Sequence, residues 1–327
     1  MRYLSIILLL WAGLFLVTET SGCYRASVRQ SIRQATRGVR QPTRILADYQ
    51  PWFGYPEHIN VGYSTQDPAV LHKQIQKAKQ MGIYGFAVDW YGERQPFEDR
   101  SYALLEQVAR DDHFHVCLMY DETEEDNGHA TDETLEAFEK AYRDYIGPDA
   151  PARQAYVTYD GHPIIFVFPK RGNTDWDRVR QAVQQWVNPP ILLYKDDPPP
   201  QYEKDFDGYY AWVHPDQAWD PKGGDWGKQY LEHFYVGMKE HPGKIIVGAA
   251  WPGFNDSKAS WSLNRHIDRR CGQTFEDTLR IFHQYDSEHP IPFLLIATWN
   301  DYEEGTQIEN GVSDCPAGEK TQVAQRQ

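Results

Sequence analysis

Cysteine is scarce in this chain. Cys23, Cys117, Cys271 and Cys315 are the four in 327 residues, and none stands at CxxC or another zinc spacing. A metal centre built on thiolates is therefore not implied. No GxGxxG and no P-loop sequence occurs, so the usual signatures of dinucleotide and nucleotide chemistry are missing, and no cofactor is called for. Positive charge is also in deficit. A formal net charge of -14 argues against a nucleic-acid partner and fits an enzyme acting on neutral substrates. Long apolar runs are lacking too: the longest, Tyr3 to Val17, is too short to span a bilayer comfortably. Aromatic residues, by contrast, are plentiful, with 11 Trp and 21 Tyr.

The apolar run follows Met1-Arg2 and leads into Thr20-Ser21-Gly22-Cys23, so residues 1–23 read as a signal segment. Small residues before a cysteine are similar to the processing site of bacterial lipoproteins, with Thr20 where Leu is usual. An ordinary cleaved signal and an uncleaved anchor are the alternatives. Residues 24–44 carry Arg25, Arg29, Arg33, Arg37, Arg40 and Arg44 with no acid before Asp48. A helix would align these arginines on one face, as a membrane-surface tether; a solvated linker is the competing account. Positive charge just after an apolar run opposes its translocation. The expectation is export to a bacterial cell envelope, lipid-anchored through Cys23 or secreted.

From Ile45 to about residue 312 apolar runs alternate with helix-period stretches, the pattern of βα units. Eight runs stand out: Ile45 to Tyr49, Gly85 to Trp90, His115 to Tyr120, Pro163 to Phe168, Ile191 to Tyr194, Gly208 to Val213, Lys244 to Ala250 and Phe293 to Thr298. Helices are predicted over Pro68 to Met81, Ser101 to Arg110, Asp132 to Tyr145, Trp176 to Val187, Trp226 to His241 and Thr274 to Tyr285. Asp67-Pro68 and Thr131-Asp132 read as N-caps, and Gly82 as a C-terminal glycine. The prolines at 198–200 leave no room for a full helix between the fifth and sixth runs. The fold class is α/β, a closed (β/α)8 TIM barrel, with a doubly wound open sheet as the alternative; residues 313–327 form a tail. Cys271 and Cys315 fall in predicted loops where an oxidising compartment would let them pair, while Cys117 lies inside a strand as a buried thiol.

The ends of the runs hold the chemistry. The first runs into Gln50-Pro51-Trp52, the second into Asp89-Trp90-Tyr91, the third into Asp121-Glu122 and the fourth into Phe168-Pro169-Lys170. The fifth ends at Tyr194-Lys195-Asp196, the sixth at Trp212-Val213-His214, the seventh at Trp251, and the eighth at Trp299-Asn300-Asp301-Tyr302-Glu303-Glu304. In a barrel these ends converge on one mouth. Glycosidic cleavage needs one carboxyl group to protonate the leaving oxygen and another to activate a nucleophile, with aromatic rings against the sugar faces. Asp301 and Glu304 are the candidate catalytic pair. Trp52, Asp89, Trp90, Tyr91, Asp121, Glu122, Trp251, Trp299 and Asn300 are the candidate substrate contacts, with Trp52, Trp90, Trp251 and Trp299 as sugar platforms. For any single ring core packing is the competing account, and for each acid of the other strands a cap.

Tyr49-Gln50-Pro51-Trp52-Phe53, Gly82-Ile83-Tyr84-Gly85-Phe86-Ala87-Val88-Asp89-Trp90-Tyr91 and Thr298-Trp299-Asn300-Asp301-Tyr302-Glu303-Glu304-Gly305-Thr306-Gln307-Ile308-Glu309 resemble, in order, segments of glycoside hydrolase family 99, which includes endo-α-mannosidases. That resemblance implies a (β/α)8 barrel, two catalytic acids at Asp301 and Glu304, and Glu304 as the general acid and base. Family 99 has Glu where this chain has Asp301. The WNDxxE form looks like the inverting α-1,3-glucanases of family 71. The implied substrate is an α-linked oligosaccharide or polysaccharide, of mannan or glucan type. A glycosyltransferase or polysaccharide-biosynthesis protein is the first rival, disfavoured because no DxD-type nucleotide-sugar site follows an early Rossmann-like unit. A non-catalytic glycan-binding barrel is the second.

Overall fold

Arg44–Tyr49 (β1), Gly85–Trp90 (β2), His115–Asp121 (β3), His162–Phe168 (β4), Ile191–Lys195 (β5), Gly208–Tyr210 (β6), Ile245–Ala250 (β7) and Phe293–Ile296 (β8) pair in chain order, each parallel to the next. β8 returns to β1, with Ala47 opposite Ile296, and the sheet closes into a barrel. This is a computed structural model, and it describes residues 42–123, 128–170, 173–215 and 226–315. The apolar run, Cys23, the arginines up to Arg40 and most of the C-terminal tail lie outside those residues. Thr43–Gln327 forms one unit.

The strands are apolar because the barrel buries both of their faces: every residue of β2 and of β8 is buried. The helices are Pro68–Gln80 (α1), Pro96–Asp111 (α2), Ala130–Ala141 (α3), Trp176–Val183 (α4), Lys228–Met238 (α5) and Gln273–Glu288 (α6). Asp67 caps α1 by accepting from the Ala69 amide at 2.8 Å, and Gly82 follows it at φ +81°. The cap expected at Thr131-Asp132 does not form. α3 begins two residues earlier than expected, at Ala130, with no side-chain cap, and Thr131 Oγ1 instead accepts from the Asp175 amide at 2.8 Å, tying α3 to the start of α4. A short 3-10 turn, Pro200–Asp205, replaces the helix between β5 and β6, as the prolines require.

Cys271 and Cys315 are joined in a disulfide with Cα atoms 4.9 Å apart, and Cys117 is a buried free thiol. Among the described residues no helix is long and apolar enough to cross a membrane.

Candidate active site

The chain after β8 folds back on itself. The Asp301 amide donates to Thr298 Oγ1 at 2.8 Å, and Asp301 Oδ1 accepts from the amides of Glu303 and Glu304 at 2.9 and 2.8 Å. Gly305, at φ +66°, takes the left-handed turn that brings Thr306 back beside Thr298. Arg269 fixes the return, its Nη2 donating to the carbonyls of Gly305 and Gln307, both at 2.8 Å.

This turn divides its four acids between two tasks. Glu303 is buried and occupied by His58 Nδ1 at 2.8 Å and the Ile59 amide at 3.1 Å. Glu309 accepts from the hydroxyls of Tyr63 and Tyr302 and from Gln74 Nε2. Those two pin the turn to the barrel. Asp301 and Glu304 face a cavity of about 740 Å³ at the C-terminal ends of the strands, whose wall also includes Trp52, Asp89, Tyr91, Asp121 and Glu122. Seven of the sequence-predicted site residues therefore share one mouth.

The other four do not line it. Trp90, Trp251, Trp299 and Asn300 are buried in the core. Trp90 lies between Asp89 and Tyr91, and side chains alternate along a strand, so the ring turns outward and donates Nε1 to Asp99 at 3.0 Å. Trp251 donates to the Trp226 carbonyl at 3.0 Å, and Trp299 packs with its centroid 5.4 Å from that of Phe86. Asn300 exchanges two hydrogen bonds with the Gln50 backbone, at 2.7 and 2.9 Å, locking the end of β8 to the end of β1. Glu122 lines the cavity, yet its two oxygens accept from the amides of Lys170 and Thr174, so it holds the loop after β4.

Three contributors were not among the sequence candidates. Trp261, 41% exposed, donates Nε1 to Glu304 Oε1 at 3.1 Å and meets Trp52 edge-on at 6.0 Å. His58 stacks on Trp52 at 4.7 Å. Asp48, fully buried on β1, accepts from Gln50 Nε2 at 2.7 Å. Trp261 and His58 sit in long loops, where only an aromatic ring in a polar stretch would have marked them; Asp48 is an acid inside an apolar run, which is such a mark.

Burial pushes the carboxyl groups of Asp48, Asp89 and Asp301 well above the ordinary range, and repulsion adds to it: Asp89 acts on Asp48, Asp121 on Asp89, and Glu304 on Asp301. Glu304 is also raised by burial, against the pull of the Trp261 N–H, Arg265 and Lys170. The Lys170 ammonium stands 3.1 Å from Asp121. The buried amide oxygen of Gln50 and the indole N–H of Trp52, both on the cavity wall, have no hydrogen-bond partner among the described residues. Among the described residues the metal-type side chains that gather are Cys271, Asp314 and Cys315, and both sulfurs are spent in the disulfide.

Among curated proteins none matches the chain. Among solved structures, the family 99 endo-α-mannosidase from Bacteroides thetaiotaomicron in complex with bis-tris-propane is similar with a TM-score of 0.62 at 19% identity, over 81% of this chain and 86% of that one. A second structure of a family 99 endo-α-mannosidase from that organism gives 0.58 at 18%, over 81% and 87%. A glycoside hydrolase-like protein gives 0.56 at 14%, over 83% and 90%. At such identities the likeness is one of fold. The family match goes further: residues 58–321 fit glycosyl hydrolase family 71, a span that holds Asp89, Asp121, Asp301 and Glu304. With most of its length and its cavity acids inside that match, the chain belongs to glycosyl hydrolase family 71.

Proposed function

We propose that this glycoside hydrolase cleaves α-linked glycans of glucan or mannan type, with Glu304 as the acid that protonates the leaving oxygen and Asp301 on the nucleophilic side. The observation that carries the reading is the division of labour in the turn after β8, where Glu303 and Glu309 are consumed by structure while Asp301 and Glu304 face the cavity. Burial favours a retained proton on Glu304, which a general acid needs. Asp301 is also pushed up by burial, but two backbone amides on its Oδ1 favour the carboxylate. Its shorter side chain supports inversion, with Asp301 activating a water; a route in which Asp301 recruits the sugar's own 2-hydroxyl is the retaining alternative. The α-mannan option draws on the family 99 endo-α-mannosidase fold, and the α-glucan option on the WNDxxE motif.

Glu304→Gln should lower turnover of natural glycans by on the order of a hundredfold or more, and much less for substrates with good leaving groups, because an amide of the same shape cannot supply a proton. Asp301→Asn keeps an oxygen for the two amides and should lose activity on both substrate types. NMR of the first-formed anomer reads the stereochemistry. Wild-type rates in both variants would remove the pair from the mechanism.

We also propose that the enzyme is exported and tethered to a membrane through a lipid on Cys23, aided by the arginines between Arg25 and Arg44. The support is the order of apolar run, small residues and cysteine. Mass spectrometry of the native N-terminus should give a diacylated Cys23; an intact Met1 or an unmodified cleaved end refutes the tether.

A further inference from the structure

Phe168, Trp212 and Glu304 are shared by two cavities. On one side lies the acid-walled space already described. On the other is a second lobe of about 510 Å³, where among the described residues Glu304 is the one acid, Lys195 and Arg265 are the cations and the His214 imidazole lies beside them. This reverses the balance of the chain as a whole, whose net charge is -14.

Lys195, at the end of β5, is half-buried with its ammonium 4.0 Å from the centroid of the Phe168 ring. Among the described residues it makes no hydrogen bond and no ion pair. Its neighbour Asp196 is already engaged, accepting from the Tyr230 hydroxyl at 2.5 Å. The Arg265 guanidinium spends Nε on Asp256 at 2.8 Å and lies over Phe254 at 5.1 Å. His214 is held by stacking on Tyr230, centroids 4.9 Å apart. A half-buried cation with no direct hydrogen bond to an anion is costly, and burial pulls the Lys195 ammonium down from its ordinary range against the opposing pull of Asp196, Asp121 and Glu304. Aromatic walls beside the unspent Lys195 ammonium suit a sugar ring bearing a negative substituent.

We infer that the Lys195 lobe is a subsite for an acidic sugar, so that the preferred glycan carries a carboxylate or a phosphate on the residue bound on that side of Glu304. In the main cavity the Lys170 ammonium is already held by Asp121 at 3.1 Å, which leaves the Lys195 lobe as the better seat for that group. The charge therefore also sets the direction in which the chain is bound. An anion beside Glu304 would strengthen that residue's hold on the proton it must deliver.

The inference rests on the α-glycan reading, and the test separates the two. Full-length Glu304→Gln protein is titrated calorimetrically with α-glucan and α-mannan oligosaccharides, with their C6-oxidised counterparts and with their 6-phosphorylated counterparts. One acidic form should bind at least about tenfold tighter than its neutral parent, about 1.4 kcal/mol, and the oxidised and phosphorylated arms tell uronate from phosphate. Adding Lys195→Gln should abolish that preference, while Lys195→Arg should restore most of it. Equal affinity for acidic and neutral forms, or a preference that survives Lys195→Gln, overturns the subsite. If the neutral parents bind and wild-type enzyme cleaves them, the proposed activity stands despite that failure. If no form is bound or cleaved, both fall.

Discussion

Glu303 and Glu304 carry the same side chain one position apart, and their partners set them apart. Glu303 meets an imidazole and a backbone amide, whereas among the described residues Glu304 has the indole N–H of Trp261 alone as its side-chain hydrogen bond. That N–H favours the ionised form and opposes the effect of burial. Trp261→Phe should therefore raise the pKa of Glu304, letting this proposed general acid keep its proton to higher pH. The alkaline limb of the kcat/KM profile should move upward by on the order of one pH unit, since a hydrogen bond to a charged group contributes about 1.5–3 kcal/mol and one unit corresponds to about 1.4 kcal/mol. The limb reports the Asp301 and Glu304 pair together. A limb that stays in place or moves to lower pH would show that Trp261 does not tune this acid.

At the scale of elements, β6 is the shortest barrel strand at 3 residues, and its fit depends on Gly208. A Cβ there would lie 2.0 Å from the Ile245 carbonyl oxygen on β7. Gly208→Ala should cost about 1–3 kcal/mol by overpacking, at roughly 2–4 °C of Tm per kcal/mol for a large domain, and an unchanged thermal melt would disprove the close approach. All eight strands are legible in the sequence because strands buried on both faces read as apolar runs closed by turn residues. What the runs do not reveal is phase. Asp89 and Trp90 are equally good strand-end candidates until β2 is packed, and packing sends the acid to the mouth and the ring to the helices. The turn after β8 was legible as a motif, but the separation of Asp301 and Glu304 from Glu303 and Glu309 rests on contacts with His58, Tyr63 and Gln74, all distant in sequence. Trp261 was illegible for the same reason, since nothing local ties it to Glu304.

For the molecule as a whole, the mouth is a store of unfavourable charge. Asp48 shows the effect most directly: it is fully buried, one of its oxygens has no hydrogen-bond partner among the described residues, and its carboxyl is raised by burial and then by Asp89, Asp301, Glu304 and Asp121. In the unfolded chain the same group titrates at about 3.9. Between that value and the higher folded one the native state binds more protons than the unfolded state, so stability falls as pH rises through this window. The contribution is fully present below the unfolded value and is lost once pH has passed the folded one. Asp48→Asn removes the ionisation and keeps an oxygen for Gln50 Nε2. The variant should thus melt a few degrees above wild type at pH 7.5, by the same scaling of roughly 2–4 °C per kcal/mol, and the gap should close as pH falls towards 4. Activity should drop in the same variant, because the carboxylates that destabilise the fold are those that shape the field around Asp301 and Glu304. An Asn variant less stable than wild type at pH 7.5 would mean that Asp48 is ionised and stabilised in the native enzyme by groups that outweigh its burial, and a Tm difference independent of pH would mean that Asp48 titrates alike in the folded and unfolded states.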